Sequence, residues 1–198
     1  AASNGCAGTS TQLDPALAVP ARALDRAVQL ERVGRFLARR EPTVQVRIGR
    51  ELVARCRALG RSIRELEQEL ALLTARTAPS LLELPGCGVL CAAKLLCEIG
   101  PIERFRTDAQ LARHGGVAPL EASSGRRRRH RLDRGGNRQL NCALHRIAVT
   151  QARMHPPARA YLERKQSEGK SRREAIRCLK RQLARVVFNT LRASPTLT

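Results

Sequence analysis

Leu52, Leu59, Leu66 and Leu73 recur every seven residues, and Cys56, Ile63 and Leu70 fall between them at alternating steps of four and three. That is an a/d seam with leucine at every d position, and it commits residues 44–77 to one long helix. A seam of this length needs cover. The spacing therefore predicts a coiled-coil helix paired with a second copy or an antiparallel partner, in preference to a helix lying lengthwise on its own domain. Ile63 at an a position leans toward two strands. Gly60 at an e position weakens the helix, and the e and g positions offer no complementary charges to fix a partner.

Residues 1–43 read as a poorly ordered stretch, punctuated by Pro15 and Pro20, with an amphipathic helix from Ala21 to Arg40 ended by Pro42. Beyond Pro79-Ser80, the run Leu81-Leu82-Glu83-Leu84-Pro85-Gly86-Cys87-Gly88 leads into a second apolar helix. This is the pattern of a helix-hairpin-helix: Gly86 and Gly88 would let backbone come close to a phosphate, the free N–H groups of the following helix would bind it, and Lys94 would assist. Thr107 with Gln110 and Ser171 with Glu174 read as capping boxes. Leu140, Ala143, Leu144, Ile147 and Ala148 predict a core-facing helix, and Pro156-Pro157 predict the start of another that Gly169 ends. The last helix carries Ile176, Leu179, Leu183, Val186, Val187 and Leu191 on one stripe. Its outer face, with Arg172, Arg173, Arg177, Lys180, Arg181 and Arg185, is a second nucleic-acid surface or a solvated face. The fold class is mainly α: a long coiled-coil helix, then a compact helical domain with a helix-hairpin-helix-like motif and a basic loop.

That loop lies between Glu121 and Arg138, where seven arginines face two acids. Arg126, Arg127, Arg128, Arg129, Arg131, Arg134 and Arg138, with Asn137, make a candidate phosphate clamp, because a guanidinium fork matches phosphate oxygens. Ser123 and Ser124 stand beside it, where a hydroxyl next to cationic donors suits nucleophilic attack on a phosphodiester. Composition supports a polyanionic partner: the net charge is +20, and the 42% hydrophobic content suffices for a core. Aromatics make up only 2%, which favours backbone contact over base stacking. The seven cysteines lack a C-x-x-C pair and read as reduced core thiols; Cys87, Cys91 and Cys97 with His114 do not make a persuasive zinc site. Gly169-Lys170-Ser171 mimics the end of a phosphate-binding loop, but Arg164 replaces its first glycine and no strand precedes it, so nucleotide binding is excluded. No run reaches membrane-spanning length and no signal peptide is evident, which points to a cytoplasmic protein. The chain begins Ala1-Ala2-Ser3 and its only methionine is Met154, as in a chain trimmed from a longer product.

Taken together, Leu84-Pro85-Gly86-Cys87-Gly88, Glu98-Ile99-Gly100 with Arg104-Phe105, Gly115-Gly116-Val117-Ala118-Pro119, Ser123-Ser124-Gly125 and Arg134-Gly135-Gly136-Asn137-Arg138-Gln139-Leu140 resemble the bacterial insertion-sequence transposases related to the pilin-gene invertase, the one-ten/one-sixteen group. The resemblance covers roughly residues 44–192. It implies a coiled coil over 44–77, a C-terminal transposase domain over 79–192 and a tail at 193–198. It further implies DNA transposition through a phosphoserine intermediate, with Ser124 as nucleophile and Ser123 as the fallback, in a nucleoid-associated bacterial protein. Mg²⁺, a dimer or higher oligomer through the coiled coil and, in some members, a guide RNA belong to the same expectation. The family's four metal-binding carboxylates should precede the coiled coil. Here the acids in that stretch are Asp14, Asp25, Glu31 and Glu41, in no strand context, so no metal ligand is assigned and this chain alone is expected to bind none. The alternatives are a truncated, non-catalytic nucleic-acid-binding dimer, either a transposase remnant or an inhibitor, and a basic RNA-binding accessory protein.

Overall fold

The computed structural model describes residues 26–121, 130–131, 133 and 135–193. They form eight α-helices, one 3-10 turn and a ladder of two two-residue strands, a mainly α fold. The chain divides into two compact units, Ala1–Gln68 and Glu69–Thr198.

In the first unit, α1 (Ala27–Ala38) and the start of α2 (Val44–Thr77) pack together. Leu30, Val33 and Leu37 of α1 form a core with Val53 of α2, flanked by Phe36, Leu52 and Cys56. A single arginine closes the hairpin: Arg50 donates to the carbonyls of Leu37 at 2.9 Å, Ala38 at 3.3 Å and Arg40 at 2.9 Å. Leu37 and Ala38 close α1 and Arg40 lies just beyond it, where carbonyls run short of helical donors and a cation suits the helix dipole. Glu31 and Arg57 add an ion pair across the hairpin at 3.0 Å. The heptad seam is therefore divided. Near α1 it is Val53, at an e position, that is fully covered, while Leu52 is half-buried; further along, Leu59, Ile63 and Leu66 are 55–58% exposed.

The second unit contains α3 (Pro79–Leu82), α4 (Val89–Ile99), the 3-10 turn Ile102–Arg104, α5 (Asp108–His114), β1 (Leu120–Glu121), β2 (His130–Arg131), α6 (Arg138–Met154), α7 (Pro156–Ser167) and α8 (Arg172–Ala193). Helix α8 is its axis, touching α3, the 3-10 turn, α5, α6 and α7, while α4 lies on α6. Leu81, Leu95, Ile99, Leu111, Leu140, Leu144, Ile147 and Val187 are buried at 0–1% exposure. Each such side chain contributes about 1.5–3 kcal/mol by leaving water.

Local signals set the element ends. Ser171 and Glu174 make the complete capping box: Glu174 accepts from the Ser171 N–H at 2.9 Å, and Ser171 Oγ accepts from the Glu174 N–H at 3.4 Å. The box at α5 is incomplete. Thr107 accepts from the Gln110 N–H, but Gln110 Oε1 accepts from the Arg106 N–H, one residue earlier than the pattern predicts.

The single-stripe reading of the last helix is corrected by the central place of α8. Neighbours on several sides widen its buried arc to Ala175, Leu179, Lys180, Leu183, Ala184, Val187 and Phe188. Val186 is left 40% exposed, and Lys180, assigned to the outer face, is 6% exposed.

Candidate nucleic-acid interface

The basic segment is held at its two ends. Leu120 pairs with Arg131 and Glu121 with His130 in an antiparallel ladder. Ser123, Ser124, Arg126, Arg127, Arg128, Arg129 and Arg134 lie outside the described residues, and of Arg131 only the strand pairing is described. What is described is the mount beneath them. The Val117 N–H donates to Ala112 O at 2.8 Å, fixing the chain as it leaves α5. On the return side, Asp133 Oδ1 accepts from the Gly135 N–H at 2.9 Å, an Asx-turn that bends the chain toward α6.

The two sides meet where Gly116 crosses Gly136. Gly116 has φ +62°, and a Cβ on Gly136 would overlap the Gly116 N and Cα and lie 2.9 Å from Gly115 C. Backbone passes backbone there with no room for a side chain, which explains the paired glycines on either side of the arginine run.

Asn137 follows at once and is engaged within the fold. Its Oδ1 accepts from the N–H groups of Gln139 and Leu140, both at 2.9 Å, capping α6, and its Nδ2 donates to Glu98 Oε2 at 2.7 Å. Both ends of its amide thus have structural partners. Arg138, the next residue, is exposed.

The helix-hairpin-helix elements pack along α6. The Gln151 amide donates to Pro85 O at 2.7 Å, and Gly86 has φ +78°, where a Cβ would come within 3.1 Å of Thr150. Gly86 is thus accounted for by packing against α6. Gly88 differs: it is exposed, precedes α4 as its N-cap, and a Cβ there would meet nothing within 4 Å. In the first turn of α4 the Cys91 N–H donates to Gly88 O at 2.9 Å, while the N–H groups of Val89 and Leu90 have no acceptor within the helix, as at any helix start. Lys94 donates to Gln139 Oε1 at 2.5 Å, joining α4 to the first turn of α6.

Sequence reasoning missed a polar group beneath this mount. Lys180 Nζ donates to Asn141 Oδ1 at 2.7 Å, and Asn141 Nδ2 donates to the carbonyls of Gly115 at 2.8 Å and Gly116 at 3.2 Å. Burial, with the nearby Arg177 charge second, pushes the Lys180 ammonium below its ordinary pKa. No periodicity announces a buried lysine; the Asn141 contact that holds it is 39 residues away in sequence. Burial, with Cys91 second, pushes the Cys87 thiol up to about 12, so it is not a thiolate at neutral pH. Among the described residues, no group of three His, Cys, Asp or Glu side chains could hold a metal ion, and no helix is long and apolar enough to cross a membrane.

A helical domain that presents a basic segment between two glycine turns defines a class, and comparison with known proteins gives its family. Residues 78–163 match the model of the transposase family IS116/IS110/IS902, and this part of the chain belongs to that family. Similar curated proteins come from insertion elements. An uncharacterized 43.6 kDa protein of IS110 from Streptomyces coelicolor is 39% identical over 132 residues, covering 65% of this chain and 33% of the relative. An uncharacterized 42 kDa protein of IS900 from Mycobacterium paratuberculosis is 31% identical over 156 residues, covering 76% and 38%. An uncharacterized 44.8 kDa protein of IS116 from Streptomyces clavuligerus is 31% identical over 140 residues, covering 68% and 35%. The matches span about a third of the length of these relatives.

Proposed function

We propose that this chain is the serine-bearing, DNA-binding part of an insertion-sequence transposase that recombines DNA by transesterification. The observation that carries the reading is the glycine-crossed mount: Ser124 and the arginines stand in a segment whose two ends are locked together by Gly116, Gly136 and the strand ladder. A nucleophile needs a fixed approach, and the described residues flanking the segment are anchored on both sides. The Ser124 Oγ attacks a backbone phosphorus, an Oγ–P bond forms as the P–O bond to the departing deoxyribose breaks, and the serine proton is lost as the leaving oxygen gains one. Guanidinium groups of the segment stabilise the charge that develops on the phosphorane. The described residues do not fit a magnesium site, so the chemistry assigned to this chain ends with nucleophile and phosphate binding. The test is covalent trapping: labelled insertion-end DNA is incubated with the protein, Mg²⁺, a guide RNA and the carboxylate domain of an intact relative supplied in trans, and a denaturing gel reads any protein–DNA adduct.

Binding should be carried by phosphates. With six to ten phosphate contacts, affinity for duplex DNA is expected to fall by about 10³–10⁵ between 50 and 200 mM salt. Fluorescence anisotropy across that range checks it, and a flat response would remove the arginine segment as the contact surface.

The exposed Leu59, Ile63 and Leu66 of α2 suit pairing with a second copy of the chain. Sedimentation equilibrium should find a dimer that Ile63→Glu converts to monomer; a wild-type monomer at tens of micromolar would refute the pairing.

A further inference from the structure

We propose that Lys180, Arg177 and His145 form a seat for a backbone phosphate of DNA, below the glycine-crossed mount of the 122–129 segment. A cleft of about 390 Å³ is lined by His145, Arg172, Arg173, Ile176, Arg177 and Lys180, with no carboxylate among its lining residues. Lys180 also lines the adjoining cleft of about 570 Å³, whose wall includes Gly116–Pro119 and Asp133, the residues flanking both ends of the ladder. Lys180 therefore borders both spaces.

What singles out Lys180 is the imbalance around it. It is 94% buried by its 6% exposure, yet its hydrogen-bond partner is the neutral amide of Asn141, and no carboxylate lies within ion-pair distance among the described residues. The neighbouring cations have acids of their own: Arg181 pairs with Asp108 at 2.9 Å, Lys165 with Glu168 at 2.8 Å, and Arg177 with Glu174 at a looser 3.6 Å. A buried cation without an opposite charge is costly. The groups facing it supply no negative charge. His145 from α6 is pushed below its ordinary pKa by burial and then by Lys180 itself, and Arg172, Arg173 and Arg177 share its helix. A phosphate supplies the missing charge and acceptors for the remaining ammonium N–H groups. Inorganic phosphate and a phosphodiester meet the seat through the same chemistry. Assigning the occupant to DNA rests on the transposase reading; the seat itself rests on this geometry.

The test compares wild type, Lys180→Met and Arg177→Gln in two measurements. In potassium phosphate against potassium chloride at matched ionic strength, wild type should gain about 3 °C in Tm beyond whatever gain the Lys180→Met chain shows. General salting effects act on both chains and cancel. With labelled duplex DNA at 100 mM salt, Lys180→Met should bind about tenfold more weakly, and the log–log salt slope should fall by about one. Arg177→Gln, half-exposed and outside the core, should move both readouts the same way, and it carries the test if Lys180→Met does not fold. Equal Tm gains and equal slopes across all three chains would overturn the seat while leaving DNA binding intact. A Lys180-dependent Tm gain in a chain that does not bind duplex would keep a phosphate seat but overturn its assignment to DNA, and with it the transposase reading.

Discussion

Ser124→Ala is expected to remove the trapped protein–DNA adduct entirely. Losing the attacking oxygen costs about 10⁴-fold or more in the rate of a reaction that proceeds through it, which puts the product below detection on a gel. Binding should hardly change, because one hydroxyl among many charged contacts contributes about 1 kcal/mol at most. The separation between the two readouts is what makes the variant informative. A structural serine would lower both, and a spectator would lower neither. Ser123→Ala is the companion: an adduct that survives Ser124→Ala but vanishes with Ser123→Ala moves the nucleophile by one residue. An adduct surviving both changes would end the phosphoserine assignment.

Among the described glycines, Gly136→Ala should be the most damaging change to alanine. The new Cβ would overlap the N and Cα of Gly116, and main chain cannot swing aside as a side-chain end can. The cost is put at roughly 3 kcal/mol or more, the upper end of overpacking, and a Tm loss of about 6–12 °C should follow in differential scanning calorimetry. Gly88→Ala is the control, since its Cβ meets open space; stability should stay within about 0.5 kcal/mol. If Gly88→Ala weakens duplex binding at unchanged stability, that position approaches phosphate. A Tm for Gly136→Ala equal to wild type would mean the two glycine turns do not touch.

Features written in neighbouring residues were legible before the fold was known. The Ser171–Glu174 box, the proline start of α7, the left-handed Gly169 and the buried face of α6 follow from spacings of three or four residues, within reach of local rules. Cross-chain geometry was not. Val53 displaces the expected seam because α1 approaches α2 from the e side, and the heptad count carries no record of where α1 lies. Gly86 and Asn137, candidates for DNA contact, have partners inside the fold as well: Gly86 lies against Thr150 and Asn137 donates to Glu98. In each case the residue type was informative and the partner, tens of residues away, was not. Lys180 is the sharpest instance, since a charged residue in an arginine-rich helix gives no sign that several elements close around it.

The Asn141 amide can face only one way. Lysine has no acceptor to offer and the glycine carbonyls have no donor, so oxygen must turn to Lys180 and nitrogen to Gly115 and Gly116. That makes the three groups a directional relay from the last helix to the turn carrying one end of the serine segment. A shift of the ammonium by an ångström must be passed on to the glycine turn or break a bond within the core. The last helix and that glycine turn are thereby tied together through a single side-chain amide.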